Sequence, residues 1–134
     1  MNTVIQCSDD ITEEFLMTLL CQVGEARAAC MEAMRAARRG DHLKALELLK
    51  EGDQALIAVH KTQTSLIGFD EGAGKVTMTL ILTHIQDHIM TTMLCRELAE
   101  EVIAIQEKLH HLLQRESQSE LTHQGNESNA EANI

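Results

Sequence analysis

Hydrophobic residues recur at intervals of three and four positions through most of this 134-residue chain, which is the spacing of amphipathic α-helices. The pattern predicts three helices, over about residues 11–38, 42–66 and 76–114. Only Arg39, Gly40 and Asp41 separate the first two. A glycine ending one helix and an acid capping the next predict a short join, and hence antiparallel neighbours. We therefore expect an all-α fold, an antiparallel three-helix bundle with up-down-up topology, as one domain over residues 1–114.

The third predicted helix has more apolar surface than a three-helix bundle can cover. One stripe along it contains Leu80, His84, Asp87, Thr91, Leu94, Leu98, Ile105 and Leu112. A second stripe contains Met78, Ile81, Ile85, His88, Thr92, Cys95, Ala99, Val102, Leu109 and Leu113. A helix that is apolar over most of its circumference must be buried on more than one side. Because only two other helices are available, the surplus face predicts packing against further copies of the chain, in a homo-oligomer.

The composition agrees with this fold and narrows the possible partners. The chain contains no Pro, Trp or Tyr, and good helix formers dominate it. Its 21 acidic residues against 11 Lys and Arg give a net charge of −10, which argues against nucleic acid and anionic membranes as partners. No charge-free run of 18 apolar residues occurs, so no membrane span is predicted. Residues 115–134 are polar and predict a disordered C-terminal tail.

Cysteine usage indicates a reducing compartment. The four cysteines form no CxxC pair, and Cys21, Cys30 and Cys95 fall on apolar helical faces. This pattern predicts buried, reduced thiols and a cytoplasmic protein, not a disulfide framework. No signal peptide is visible, because acidic residues interrupt the N-terminal segment.

The segment Thr83-His84-Ile85-Gln86-Asp87-His88-Ile89-Met90 carries the candidate chemistry. His84, Asp87 and His88 stand at i, i+3 and i+4, so they project from one side of a helix where packing would favour Leu or Ile. A lone histidine in such a place is ordinarily a core residue with one hydrogen bond. Three polar groups in five residues form a layer held against the hydrophobic pattern, and such layers are candidate functional sites.

Two kinds of chemistry remain open for this layer. It could bind a metal, either Zn²⁺ with His60 as a fourth ligand or Mg²⁺ where copies of Asp87 meet at an oligomer axis. Alternatively, a histidine could accept a phosphoryl group already activated on another protein, since the chain lacks a nucleotide-binding loop in a suitable context.

Several segments resemble one family in order and spacing. They are Gly24-Glu25-Ala26-Arg27, Met31-Glu32-Ala33, Ala36-Ala37-Arg38-Arg39-Gly40-Asp41, His60-Lys61-Thr62-Gln63-Thr64, His84 to Thr91, and Arg96-Glu97-Leu98-Ala99. This set is similar to the lactose/cellobiose-class enzyme IIA components of the bacterial sugar phosphotransferase system (PTS). The resemblance covers roughly residues 12–113.

The resemblance implies a homotrimer of three-helix bundles, with the third helix around the trimer axis. His84 would carry a phosphoryl group from the phosphocarrier protein HPr to a cysteine of the cognate IIB component. Asp87 would hold Mg²⁺ or a similar divalent cation at the axis, one carboxylate from each subunit, and His88 would support the reaction. The pathway would drive uptake and phosphorylation of a disaccharide of the lactose, cellobiose or chitobiose type through the membrane component IIC.

The sequence departs from the family pattern around the active histidine. Thr83 and Ile85 stand where Val and Ala are expected, and Thr92 replaces a small apolar residue. None of these changes removes a catalytic group. The alternative function is a non-catalytic oligomeric helical protein, for metal binding or assembly, in which the His-Asp-His layer specifies the oligomer core.

Overall fold

The computed structural model describes residues 4–131 and consists of three long helices. They are α1 (Glu13–Arg38), α2 (His42–Asp70) and α3 (Leu80–Glu131), preceded by a short 3₁₀ helix at Ser8–Asp10. No strand occurs among the described residues. The predicted all-α, up-down-up three-helix bundle is confirmed. The first three residues of the chain and the last three of the predicted tail lie outside the described residues.

The helix boundaries follow local capping chemistry. Asp41 caps α2, its carboxylate accepting the Lys44 N–H at 3.2 Å, as predicted from the Gly-Asp join. Helix α1 is capped by Thr12, whose hydroxyl accepts the Phe15 N–H at 3.1 Å. Asp10, which precedes this cap, accepts the N–H groups of Gln6 and Cys7, and these bonds lower its pKa.

Helix α3 is longer than the apolar pattern predicts. It was expected to span about residues 76–114, but it begins at Leu80 and continues to Glu131. The side chains of residues 111–127 are all exposed. The predicted end was wrong because the loss of apolar residues marks where packing against other helices stops, not where the helix stops. A helix can continue beyond that point, since each added residue forms one more backbone hydrogen bond and the chain contains no proline. The division into a bundle domain and a separate polar tail stays a prediction.

Helix α1 is the centre of the bundle and packs extensively against both other helices, whereas α2 and α3 meet more sparsely. The core has two parts. The part near the α2–α3 loop is built from large aliphatic side chains, which include Leu19, Val23, Val59, Leu66, Leu82, Ile85 and Ile89. The part at the other end is built mainly from small residues, which include Cys30, Ala33, Ala36, Ala37, Ala45 and Ala99. Large residues separate the helices at one end, and small ones let their backbones approach closely at the other.

An ion pair joins α2 to α3 beside this core. Arg96 Nε and Nη2 donate to the two carboxylate oxygens of Asp53 at 2.5 and 2.9 Å, and Arg96 also contacts Glu100. Hydrogen bonding to Asp53 is the main reason that the pKa of Arg96 is raised. The two-pronged geometry fixes orientation as well as charge.

The cysteine prediction holds only in part. Cys30 is buried and Cys95 is half-buried, but Cys21 is exposed, and all four thiols are free. Cys21 was misplaced because its stripe borders the apolar face of α1 without entering the core.

We predict that Gly52→Ala destabilises the bundle although alanine is the better helix former. A Cβ at position 52 would lie 2.8 Å from Cys30 Sγ and 3.4 Å from the Ala26 carbonyl oxygen, inside the tightly packed end of the core. Overpacking of this kind costs roughly 1–3 kcal/mol of unfolding free energy. Urea denaturation followed by circular dichroism measures the change.

Gly68→Ala is the matched control, because it lies in the same helix and a Cβ there meets nothing within 4 Å. It should stabilise the protein by about 0.5–1 kcal/mol. Equal effects of the two substitutions would contradict the close approach of α1 and α2.

Candidate functional site

The His-Asp-His segment is one turn of α3 whose opposite face is packed into the core. Ile85 and Ile89 have no exposed surface and belong to the aliphatic part of the core. Because side chains three and four positions apart share a helical face, anchoring these two residues turns His84 and Asp87 away from the bundle. The packing of Ile85 and Ile89 therefore determines the direction in which the His84 and Asp87 side chains point.

The three candidate residues differ in exposure. His84 and Asp87 are exposed in the single chain, while His88 is half-buried beside the core. The imidazole rings of His84 and His88 lie with centroids 6.1 Å apart and planes inclined by 33°. The structure thus brings the two histidines together and leaves His84 as the more exposed of the two.

The hydroxyls of Thr83 and Thr91 beside the site bond to the helix backbone. Thr83 donates to the Thr79 carbonyl at 3.0 Å, and Thr91 donates to the carbonyls of Asp87 and His88 at 3.0 and 3.2 Å. These hydroxyls are therefore engaged within α3, and the outward chemistry of this turn belongs to the imidazole and the carboxylate.

The zinc-site hypothesis is not supported within one chain. Among the described residues, no three His, Cys, Asp or Glu side chains are gathered where they could share a metal ion. His60, suggested as a fourth ligand, lies exposed on α2. Side chains at i, i+3 and i+4 of one helix fan outward, so this turn alone does not converge on a small ion.

The site lies on an uncovered apolar face of α3, which we name the α3 seam. It consists of Leu80, His84, Asp87, Thr91, Leu94, Leu98, Ile105 and Leu112. Leu94, Leu98 and Ile105 are 55%, 52% and 60% exposed, respectively. The alternating spacing of three and four residues is that of a coiled-coil contact surface.

A partly buried hydrogen bond next to the site was not predicted from the sequence. Gln63 of α2 is 8% exposed and donates its side-chain N–H to the Gln86 amide oxygen at 2.7 Å. The bond crosses between α2 and α3 within the turn that carries His84, and so fixes how the two helices align. The available signal was a glutamine beside each apolar stripe, but sequence alone does not pair them.

Comparison with known proteins identifies the family. The sequence model described as "PTS system, Lactose/Cellobiose specific IIA subunit" matches residues 14–107. The N,N'-diacetylchitobiose-specific EIIA component of Escherichia coli (strain K12) is 42% identical over 97 residues, which cover 72% of this chain and 84% of that protein.

Two solved structures share the fold and much of the sequence. A chain in the IIA(Chitobiose)-HPr complex of the Escherichia coli phosphotransferase system has a TM-score of 0.64 and 41% identity, covering 73% of this chain and 95% of that one. The cellobiose-specific enzyme IIA from Bacillus anthracis has a TM-score of 0.68 and 34% identity, covering 74% and 91%.

Fold, sequence and site together define a phosphotransfer component of a sugar phosphotransferase system. The chain belongs to the lactose/cellobiose-specific IIA family of that system. The alternative of a non-catalytic assembly protein is not favoured by these relationships. No helix within residues 4–131 is long and apolar enough to cross a membrane.

We predict that Gln86→Leu destabilises the protein by about 1–3 kcal/mol, because it leaves the buried Gln63 amide without its partner. The double variant Gln63→Leu/Gln86→Leu should recover most of the loss, since both polar groups are then absent. Chemical denaturation of the two single variants and the double variant measures the coupling. Additive losses would contradict a role for this bond in joining α2 to α3.

Proposed function

We propose that His84 is the phosphoryl acceptor of this IIA component, that phospho-HPr is its donor, and that a cysteine of the cognate IIB component is its acceptor. The observation that carries the proposal is an exposed imidazole on a rigid turn of a IIA-family bundle. A chain of the same fold and 41% identity was solved in complex with HPr, which supports HPr as the donor.

The chemistry requires a neutral nucleophile and little else from this chain. A ring nitrogen of His84 attacks the phosphorus of phospho-HPr in line, forming one N–P bond as the bond to the donor breaks. A IIB thiolate then attacks the same phosphorus, forming an S–P bond and releasing the imidazole. His88 lies one turn away, where a ring N–H can approach the phosphoryl oxygens.

Assembly completes the site. We infer that three copies pack the Asp87, Leu94, Leu98 and Ile105 side of their α3 seams around one axis, with His84 at the rim of this contact and open to HPr. Exposed leucines at coiled-coil spacing favour burial against an identical surface. Asp87 lies on this seam, so three carboxylates would face one another. Oxygen ligands of this kind suit Mg²⁺ or a similar hard cation, which would neutralise their repulsion when bound.

The sugar is expected to be a disaccharide of the chitobiose, cellobiose or lactose type, handled by the membrane component IIC. This chain contains neither Trp nor Tyr and thus lacks the aromatic platforms that commonly stack on sugar rings. Its task is transfer of the phosphoryl group to IIB.

We predict that the protein becomes labelled when incubated with phosphoenolpyruvate, enzyme I and HPr, and that the label is labile to acid and stable to base. His84→Ala should abolish labelling, and His88→Ala should slow it while keeping the site. His60→Ala is the control, because His60 is an exposed histidine on α2 and should leave the rate unchanged. Full labelling of His84→Ala would overturn the assignment.

We predict that Asp87→Leu remains trimeric in sedimentation velocity experiments without divalent cations, since the substitution removes like charges from the axis. Leu98→Asp should dissociate the assembly, because it adds three carboxylates to the apolar part of the seam. Dissociation of Asp87→Leu to monomers would show that a cation, and not apolar packing, holds the copies together.

A further inference from the structure

The end of the bundle opposite the α2–α3 loop carries a second group of histidines that phosphoryl transfer does not use. His42, Glu107, His110 and His111 line a cavity of about 280 Å³ between the start of α2 and α3. His111 is 27 residues beyond His84 on α3, which is about 40 Å at 1.5 Å per residue. The group is thus remote from the proposed site of phosphorylation.

One carboxylate oxygen in this cavity lies at nearly metal-ligand spacing from two ring nitrogens. Glu107 Oε1 lies 3.3 Å from His42 Nε2 and 4.0 Å from His111 Nε2. Tetrahedral Zn²⁺ with bonds of about 2.0–2.1 Å places its ligand atoms roughly 3.3–3.4 Å apart. The first distance matches this spacing and the second is longer, and His111, whose side chain is 71% exposed, can move towards the other two groups.

The positions in the chain suit chelation. Glu107 and His111 are four residues apart on α3, so both side chains project from one helical face. Glu107 and His110 have the Glu-x-x-His spacing used in metal sites of helical bundles. His42 approaches from another element, the first turn of α2, and therefore supplies a ligand that closes the site across the bundle.

Two buried ring nitrogens in the cavity have no partner. Within the described part of the chain, His42 Nδ1 and His110 Nε2 are buried without a hydrogen bond. The His110 ring lies against Gly40, where a Cβ would be 3.4 Å from His110 Cε1. Buried polar atoms are nearly always satisfied by protein, water or an ion, so His110 Nε2 is able to accept a ligand in the cavity. His42 Nδ1 is the other ring nitrogen from the one that faces Glu107.

We propose that His42, Glu107 and His111 bind a divalent transition metal of the zinc class, with His110 Nε2 available beside them as a fourth ligand. Two or three imidazoles and one carboxylate favour Zn²⁺, Co²⁺ or Ni²⁺ over Mg²⁺, which prefers oxygen ligands. No three such groups in residues 4–131 already surround a common point. The site is therefore one that the metal closes, by drawing His111 inward.

Such an ion would fasten the first turn of α2 to α3 at the place where α3 leaves the bundle. Beyond His111 the helix has only exposed side chains up to residue 127. The metal would then have a structural role, because it would crosslink α2 to α3 at the last packed turn of α3. It would stabilise the folded state in proportion to its occupancy.

The proposal is tested by titrating the full-length Asp87→Asn variant with Co²⁺ in buffer containing excess Mg²⁺. The substitution and the Mg²⁺ prevent Co²⁺ binding at Asp87 on the α3 seam from contributing to the signal. We expect one equivalent of Co²⁺ to bind per chain, with the visible absorption of a tetrahedral site built from nitrogen and oxygen ligands. His111→Ala and Glu107→Gln should each weaken binding by at least about tenfold. His111→Ala is the sharper variant, because its exposed side chain contributes little to packing.

His123→Ala is the control, since His123 is an exposed histidine further along the same helix and should not change the affinity. Zn²⁺ should raise the thermal unfolding temperature of the Asp87→Asn protein but not of its His111→Ala derivative. Binding that is unaffected by His111→Ala and Glu107→Gln would overturn the proposal. So would a sulfur-to-cobalt charge-transfer band, which would assign the metal to cysteine thiolates. None of these outcomes depends on phosphorylation of His84.

Discussion

The burial of Ile85 and Ile89 determines how this molecule presents its chemistry. Both side chains belong to the aliphatic part of the core, together with Val23 of α1 and Val59 of α2. Burying each of them stabilises the bundle by roughly 1.5–3 kcal/mol, so the rotation of α3 about its own axis is fixed. Once that rotation is fixed, the helical period turns His84 and Asp87 outward. The hydrogen bond between Gln63 and Gln86 fixes the position of α3 along its axis relative to α2. Aliphatic contacts alone specify this position poorly.

The change in core residue size along the bundle explains its second feature. Near the α2–α3 loop the helices are separated by Leu, Ile and Val, whereas the opposite end is packed with alanines. Small residues allow α2 to begin close to α3, and this closeness brings His42 of one helix to 3.3 Å from Glu107 of the other. The cavity lined by His42 and Glu107 is a consequence of the narrow core. The same narrowing leaves no space for a side chain at Gly52, whose Cβ would meet Cys30.

Periodicity and capping residues predicted the fold because they are local signals. The three helices, the Asp41 cap and the shared direction of His84 and Asp87 follow from residue types and spacing alone. Pairings between distant positions did not follow: neither the bond from Gln63 to Gln86 nor the ion pair of Asp53 with Arg96 is visible in one sequence. The end of α3 was missed for a different reason, since apolar periodicity reports packing and the side chains of residues 111–127 are exposed.

Because Asp87 lies on the surface of the single chain, its charge does not oppose folding of the bundle. In one chain Asp87 is exposed, so its charge remains solvated and carries no desolvation penalty. In the proposed trimer the penalty arises only on assembly, when three carboxylates approach along the seam. The apolar residues further along, Leu94, Leu98 and Ile105, would supply the favourable free energy of association. A polar layer at one end would then specify the register of the helices, because any shift would place Asp87 against leucine. In the proposed trimer, the phosphoryl acceptor His84 and the register element Asp87 would therefore occupy the same turn, and assembly would position the site without any change in the fold of the single chain.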